Sequence, residues 1–143
     1  TTPRVVARAL AWDDARQLAE VAAEHGPFDL LVGGDLLYRP QVVAPLLNAL
    51  MALTSARTTV LLAASLQHSP QTIGLFANAA DEAGFEVERI DHAADGAVPQ
   101  AFMSPEVRIL RLRRRRPSGS RSSSSNGKKK KKRRRSREQD AAS

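Results

Sequence analysis

Asp35 and Tyr38 are the residues whose types and spacing best fit chemistry. They lie in Gly33-Gly34-Asp35-Leu36-Leu37-Tyr38, just past an apolar run. The short separation lets both face one crevice. A carboxylate favours a cation electrostatically and a phenol oxygen accepts a hydrogen bond, so the pair suits holding and orienting an amine. Two glycines at a strand end allow close approach of a ligand to the backbone. A second segment, Leu10-Ala11-Trp12-Asp13, places Trp12, the only Trp, where a flat aromatic ligand could stack. Each residue also has a plainer reading: a helix cap for Asp35, sheet-edge packing for Tyr38, core for Trp12, a tight turn for Gly33-Gly34. The conjunction is more specific than any part. His25 falls at a helix end, where a cation suits the dipole. His68 and His92 fall in loops, and none of the three has a partner at metal-ligand spacing, so no metal site is expected.

The elements that would position these residues follow from hydrophobic periodicity. Val5–Trp12 reads as a strand with Val5, Ala7 and Ala9 on one face. Asp13 or Asp14 caps the next helix, whose apolar stripe is Ala15, Leu18, Ala19 and Ala22 and which Gly26 and Pro27 stop. Residues 29–38 should form a strand buried on both faces that delivers Asp35 and Tyr38 to the rim of the sheet. Pro40 and Pro45 bracket the start of a helix with Val43, Leu46, Leu47 and Leu50 inward. Thr58–Ser65 is another buried strand. Ser69-Pro70 opens a helix with Ile73, Phe76, Ala77 and Ala80 inward, ending at Gly84. Phe85–Asp91 alternates as an edge strand. A loop with Gly96 and Pro99 then leads to a last strand, Val107–Leu112. Alternating strands and helices predict an α/β fold, a doubly wound and mostly parallel sheet. The last two strands, with no helix between them, predict an antiparallel pair at one edge. Beyond the carboxyl ends of such strands is where ligands bind.

The chain has 143 residues and a net charge of +7. That average hides two unlike parts. Residues 1–110 hold seven Lys/Arg against thirteen Asp/Glu, and residues 111–143 hold fifteen against two. The expected organisation is a globular part over residues 1–112 and a disordered Ser/Lys/Arg-rich tail over 113–143. Arg113–Arg116 and the unbroken run Lys128–Arg135 are separated by eleven residues, a bipartite spacing that fits a nuclear localisation signal or a phosphate-binding arm. Without interleaved aromatics, nucleic-acid binding through residues 113–137 would be salt-sensitive and sequence-blind. The absence of Cys excludes disulfides and thiolate chemistry. No apolar run approaches membrane-span length, and no signal-peptide pattern opens the chain, so an intracellular protein, cytoplasmic or nuclear, is expected.

The residues also carry a family resemblance from about Arg4 to Arg111. Phe28-Asp29-Leu30-Leu31-Val32-Gly33-Gly34-Asp35-Leu36-Leu37-Tyr38 resembles the Asp-x-x-Tyr segment after the fourth strand of seven-β-strand, S-adenosylmethionine-dependent methyltransferases, in the methyltransferase-like protein lysine methyltransferase group. Leu10-Ala11-Trp12-Asp13-Asp14 is similar to that group's Leu-x-Trp-Gly-Asp segment, with Asp13 in place of the Gly. Pro45-Leu46-Leu47-Asn48-Ala49-Leu50 matches the following Leu-Leu-x-x-Leu helix. The resemblance implies a Rossmann-like fold, S-adenosylmethionine as cofactor and a protein lysine as acceptor. It implies Trp12 and Gly34 on the cofactor side, with Asp35 and Tyr38 at the acceptor amine. No segment fits G-x-G-x-x-G. The chain therefore reads as the carboxyl-terminal half of a methyltransferase, a fragment lacking the cofactor loop. The alternative is an inactive remnant whose basic arm binds nucleic acid or directs nuclear import.

Overall fold

A computed structural model of the protein describes residues 2–90 and 104–117. Among the described residues, three α-helices and four strands follow in the order α1 (Ala15–His25), β1 (Leu30–Gly34), α2 (Val43–Leu53), β2 (Thr59–Ser65), α3 (Pro70–Glu82), β3 (Phe85–Ile90) and β4 (Val107–Arg114), with a 3-10 turn over Pro40–Val42 ahead of α2. The strands form one mixed sheet in the spatial order β1-β2-β4-β3. β1 and β2 pair in parallel, while β4 pairs antiparallel with both β2 and β3. Three strands thus run one way and β4 runs against them. The antiparallel pair is present, with β3 at the edge. β4, however, lies inside the sheet, and its Leu110 and Leu112 are fully buried.

Pairing register sorts the strand residues onto two faces. Leu31, Val60, Leu62, Leu112, Leu110 and Val87 share one face, which meets Val43, Leu46 and Leu50 of α2 and Ile73, Phe76 and Ala80 of α3. Phe76, Phe85, Val60, Leu110 and Leu112 are completely enclosed there. Burial of side chains of this size, at about 1.5–3 kcal/mol each, is the main force holding α2 and α3 to the sheet. The opposite face carries Leu30, Val32, Leu61 and Ala63, and among the described residues no helix covers it.

That bare face corrects the expectation of a doubly buried β1. Leu30 is 53% exposed and Val32 73%. An apolar run records a tendency to be buried, but burial needs neighbours, and β1 has one ladder partner and one covered face. The expected first strand, Val5–Trp12, is likewise not a strand. Val5 and Val6 are exposed, and the segment runs beside α1, where Arg8 bonds Glu24 at 2.6 Å and Glu20 at 3.0 Å. A strand forms only with a ladder to share, and no described strand pairs with this segment.

Local signals account for most helix boundaries. Asp14 caps α1, its Oδ1 accepting from the Arg16 and Gln17 backbone N–H groups. Of the expected stripe in α1, Leu18 is buried, Ala22 is half-buried, and Ala15 and Ala19 are exposed, while Val21 joins Leu18 in the buried set where α1 meets α2. Ser69 precedes Pro70 at the start of α3, and its hydroxyl bonds the Thr72 hydroxyl instead of a backbone N–H. Gly84, at φ 93, ends that helix in a conformation side chains resist. β4 continues through Arg114, two residues past Leu112, so Arg113 and Arg114 belong to the sheet rather than to a tail. Asp91, His92, the Gly96–Pro99 loop and the run Lys128–Arg135 lie outside the described residues.

Candidate active site at the carboxyl ends of β1 and β2

β1 and β2 end side by side, with Gly34 level with Ala63. Asp35 continues the ladder by one bond, its N–H donating to the Ala63 carbonyl at 2.7 Å. Its backbone then turns sharply: Asp35 has φ 53, and no other described non-glycine residue has positive φ. Asp tolerates the left-handed region better than most residues, but the conformation still costs free energy. The turn places Leu37 in the core, 3% exposed, with Asp35 and Tyr38 on either side of it facing solvent. Leu37 is an anchor the sequence reading overlooked. Its sequence signal is only the apolar pair Leu36-Leu37 between Asp35 and Tyr38.

The two glycines have different roles. A Cβ on Gly33 would stand 2.6 Å from Leu36 Cδ1 and 2.9 Å from Leu62 Cδ2, so Gly33 is required by packing. A Cβ on Gly34 would meet nothing within 4 Å. Packing within the described chain does not explain Gly34, and its backbone is open to a ligand.

Trp12 and Tyr38 line one cavity of about 450 Å³ with Arg39, Gln41, Val42 and Pro45. The Arg39 guanidinium lies 5.8 Å from the Tyr38 ring centroid, within cation–π range. Trp12 is half-buried against the core. Its other side faces a second cavity of about 340 Å³ between α1 and α2, lined also by Leu18, Asn48 and Ala52. Trp12 is therefore neither simple core nor simple surface. Asp35 and Gly34 adjoin one another at the strand end and do not line the Trp12–Tyr38 cavity. The structure thus brings Trp12 to Tyr38, whereas the sequence reading grouped Trp12 with Gly34. The Asp35 carboxylate makes no ion pair and no side-chain hydrogen bond among the described residues, which leaves its charge available to a cation.

Comparison with known proteins agrees with the resemblance carried by these segments. Residues 1–79 match a family model described as lysine methyltransferase. That span exceeds half of the chain and includes Trp12, Gly34, Asp35 and Tyr38, so the chain belongs to the lysine methyltransferase family. Among solved structures it is similar to the crystal structure of M1.HpyAVI, with a TM-score of 0.43 and 12% identity over 72% of this chain. The matched part spans 56% of that chain. No curated protein matches.

Proposed function

We propose that this member of the lysine methyltransferase family forms the acceptor side of a methyl-transfer site, using S-adenosylmethionine to methylate a protein lysine. The observation that carries the reading is the end of β1. A non-glycine residue held at φ 53 follows a glycine that packing does not need. Backbone strain of this kind clusters where it serves function.

When bound, S-adenosylmethionine supplies an electrophilic methyl group on a sulfonium. The acceptor amine must therefore be neutral and aligned. Asp35 attracts the lysine ammonium to the solvent-exposed rim, where water takes up the proton that must leave before transfer. The Tyr38 oxygen accepts a hydrogen bond from an amine N–H and so directs the lone pair away from itself. Positioning of this kind supplies much of the rate in a displacement between bound partners. Gly34, open beyond its Cα, leaves room for the cofactor beside the strand, and the Trp12 ring offers a flat apolar surface for its adenine. Two features thus fit the cofactor: the space at Gly34 and the half-buried Trp12.

The test is transfer of labelled methyl from S-adenosylmethionine to protein substrates by the longest natural polypeptide containing residues 1–143, with the modified atom located by mass spectrometry. Methyl on lysine Nζ, reduced on the order of 10²-fold by Asp35→Ala and by Tyr38→Phe, is the expected result. Full activity in both variants would overturn the site assignment. Methyl on another residue type would overturn the acceptor.

A further inference from the structure

A larger cavity, about 740 Å³, lies at the opposite end of the sheet. Thr59 and Glu86, at the starts of β2 and β3, share its lining with Arg57 and Arg113–Arg116. Five guanidinium groups thus surround one carboxylate. Arg57 comes from a turn far away in sequence, and that turn is firmly built. The Thr58 hydroxyl donates to the Phe28 carbonyl at 2.7 Å and accepts from the Ser55 N–H at 2.9 Å, while the Arg57 N–H donates to Ser55 Oγ at 3.2 Å.

The arginines divide by what they do. Arg114 donates to the Thr54 hydroxyl and the Met51 carbonyl and covers the Phe85 ring at 4.9 Å. Arg115 is paired with Asp81. Arg57, Arg113 and Arg116 are exposed and make no ion pair among the described residues. Crowding like charges is unfavourable, and an anion from outside would relieve it.

We infer that this groove docks the phosphate backbone of duplex nucleic acid, with Arg57, Arg113 and Arg116 as the phosphate contacts. Guanidinium forks suit phosphate oxygens, which they bind in pairs. No exposed large apolar side chain lines the groove, which disfavours insertion into a lipid surface. No aromatic side chain lines the groove, and the Phe85 ring is fully buried beneath Arg114, so no face is offered for base stacking. The sequence runs on from Arg116 to the eight positive charges of Lys128–Arg135, which extend the same polyanion preference. The groove and the Asp35 rim are at opposite ends of the strands, so a docked duplex leaves the rim open.

Fluorescence anisotropy with a labelled duplex of arbitrary sequence, on the full chain across a salt series, tests this. Replacing Arg57, Arg113 and Arg116 together by Ala should weaken binding ~10-fold or more and lower the slope of log K against log salt by roughly three. The Lys triple variant should keep the slope. Arg57→Ala alone, in a turn outside every strand, should lower it by about one with an unchanged melting temperature. An Ala triple variant with the parent's affinity and slope overturns the inference. So does a parent that fails to bind duplex, or that prefers phosphatidylserine vesicles or poly-glutamate to it.

Discussion

The two ends of the sheet carry opposite chemistry, yet each is built from a residue that packing needs beside one that packing does not. At the carboxyl ends of β1 and β2, Gly33 is held by Leu36 and Leu62 while Gly34 touches nothing. At the other end, Arg114 is spent on Met51, Thr54 and Phe85, while Arg57 bonds only through its backbone. Neighbouring residues of one type thus separate into a structural member and an available member. Composition alone cannot make that separation, because it depends on which atoms stand nearby.

Substitutions can break or sharpen this contrast. The largest effect should come from Phe76→Ala, which empties the core beneath both ends. A loss of about 3–5 kcal/mol is expected in denaturant unfolding, with both ends failing together. A variant that unfolds while one end keeps its ligand would break the comparison. Gly33→Ala should cost about 1–3 kcal/mol, since Leu36 and the buried Leu62 must yield. Arg114→Ala should cost about 1–2 kcal/mol through its two hydrogen bonds and the uncovered Phe85 ring. The smallest effects belong to the available members. Gly34→Ala and Arg57→Ala should each stay within about 0.5 kcal/mol of the parent in the same measurement. Equal costs for Gly33→Ala and Gly34→Ala would remove the contrast at the carboxyl end.

Much of this architecture was legible in the sequence, and the parts that were not share a cause. Asp14, Ser69-Pro70 and Gly84 announce helix boundaries because caps act locally. The strands β1 to β4 announce themselves by apolar runs or alternation. What a residue cannot encode by itself is its neighbour. Val5–Trp12 alternates like a strand but finds no ladder among the described residues. Leu30 and Val32 are apolar yet exposed, because one face of β1 is uncovered. Nothing in Val107–Leu112 says that it inserts between β2 and β3. Type, spacing and resemblance single out Asp35, Tyr38, Gly34 and Trp12 as candidates, and the fold places Asp35 and Tyr38 in one turn at the end of β1. The pairing of Trp12 with Tyr38 in one cavity, the anchoring by Leu37 and the contribution of Arg57 arise only from the folded arrangement. A single Arg in the Ser55–Thr58 turn carries no signal until Arg113–Arg116 arrive beside it.

The proposed site requires that Asp35 accept its strained backbone for function rather than for stability. Asp35→Gly tests it most directly, in the longest natural polypeptide containing residues 1–143, because Gly adopts φ 53 without steric cost but has no carboxylate. Unchanged or slightly raised stability, by a few tenths to about 1 kcal/mol, is expected together with a loss of methyl transfer on the order of 10²-fold. A variant that keeps full activity, or one that unfolds more easily than the parent, would contradict it.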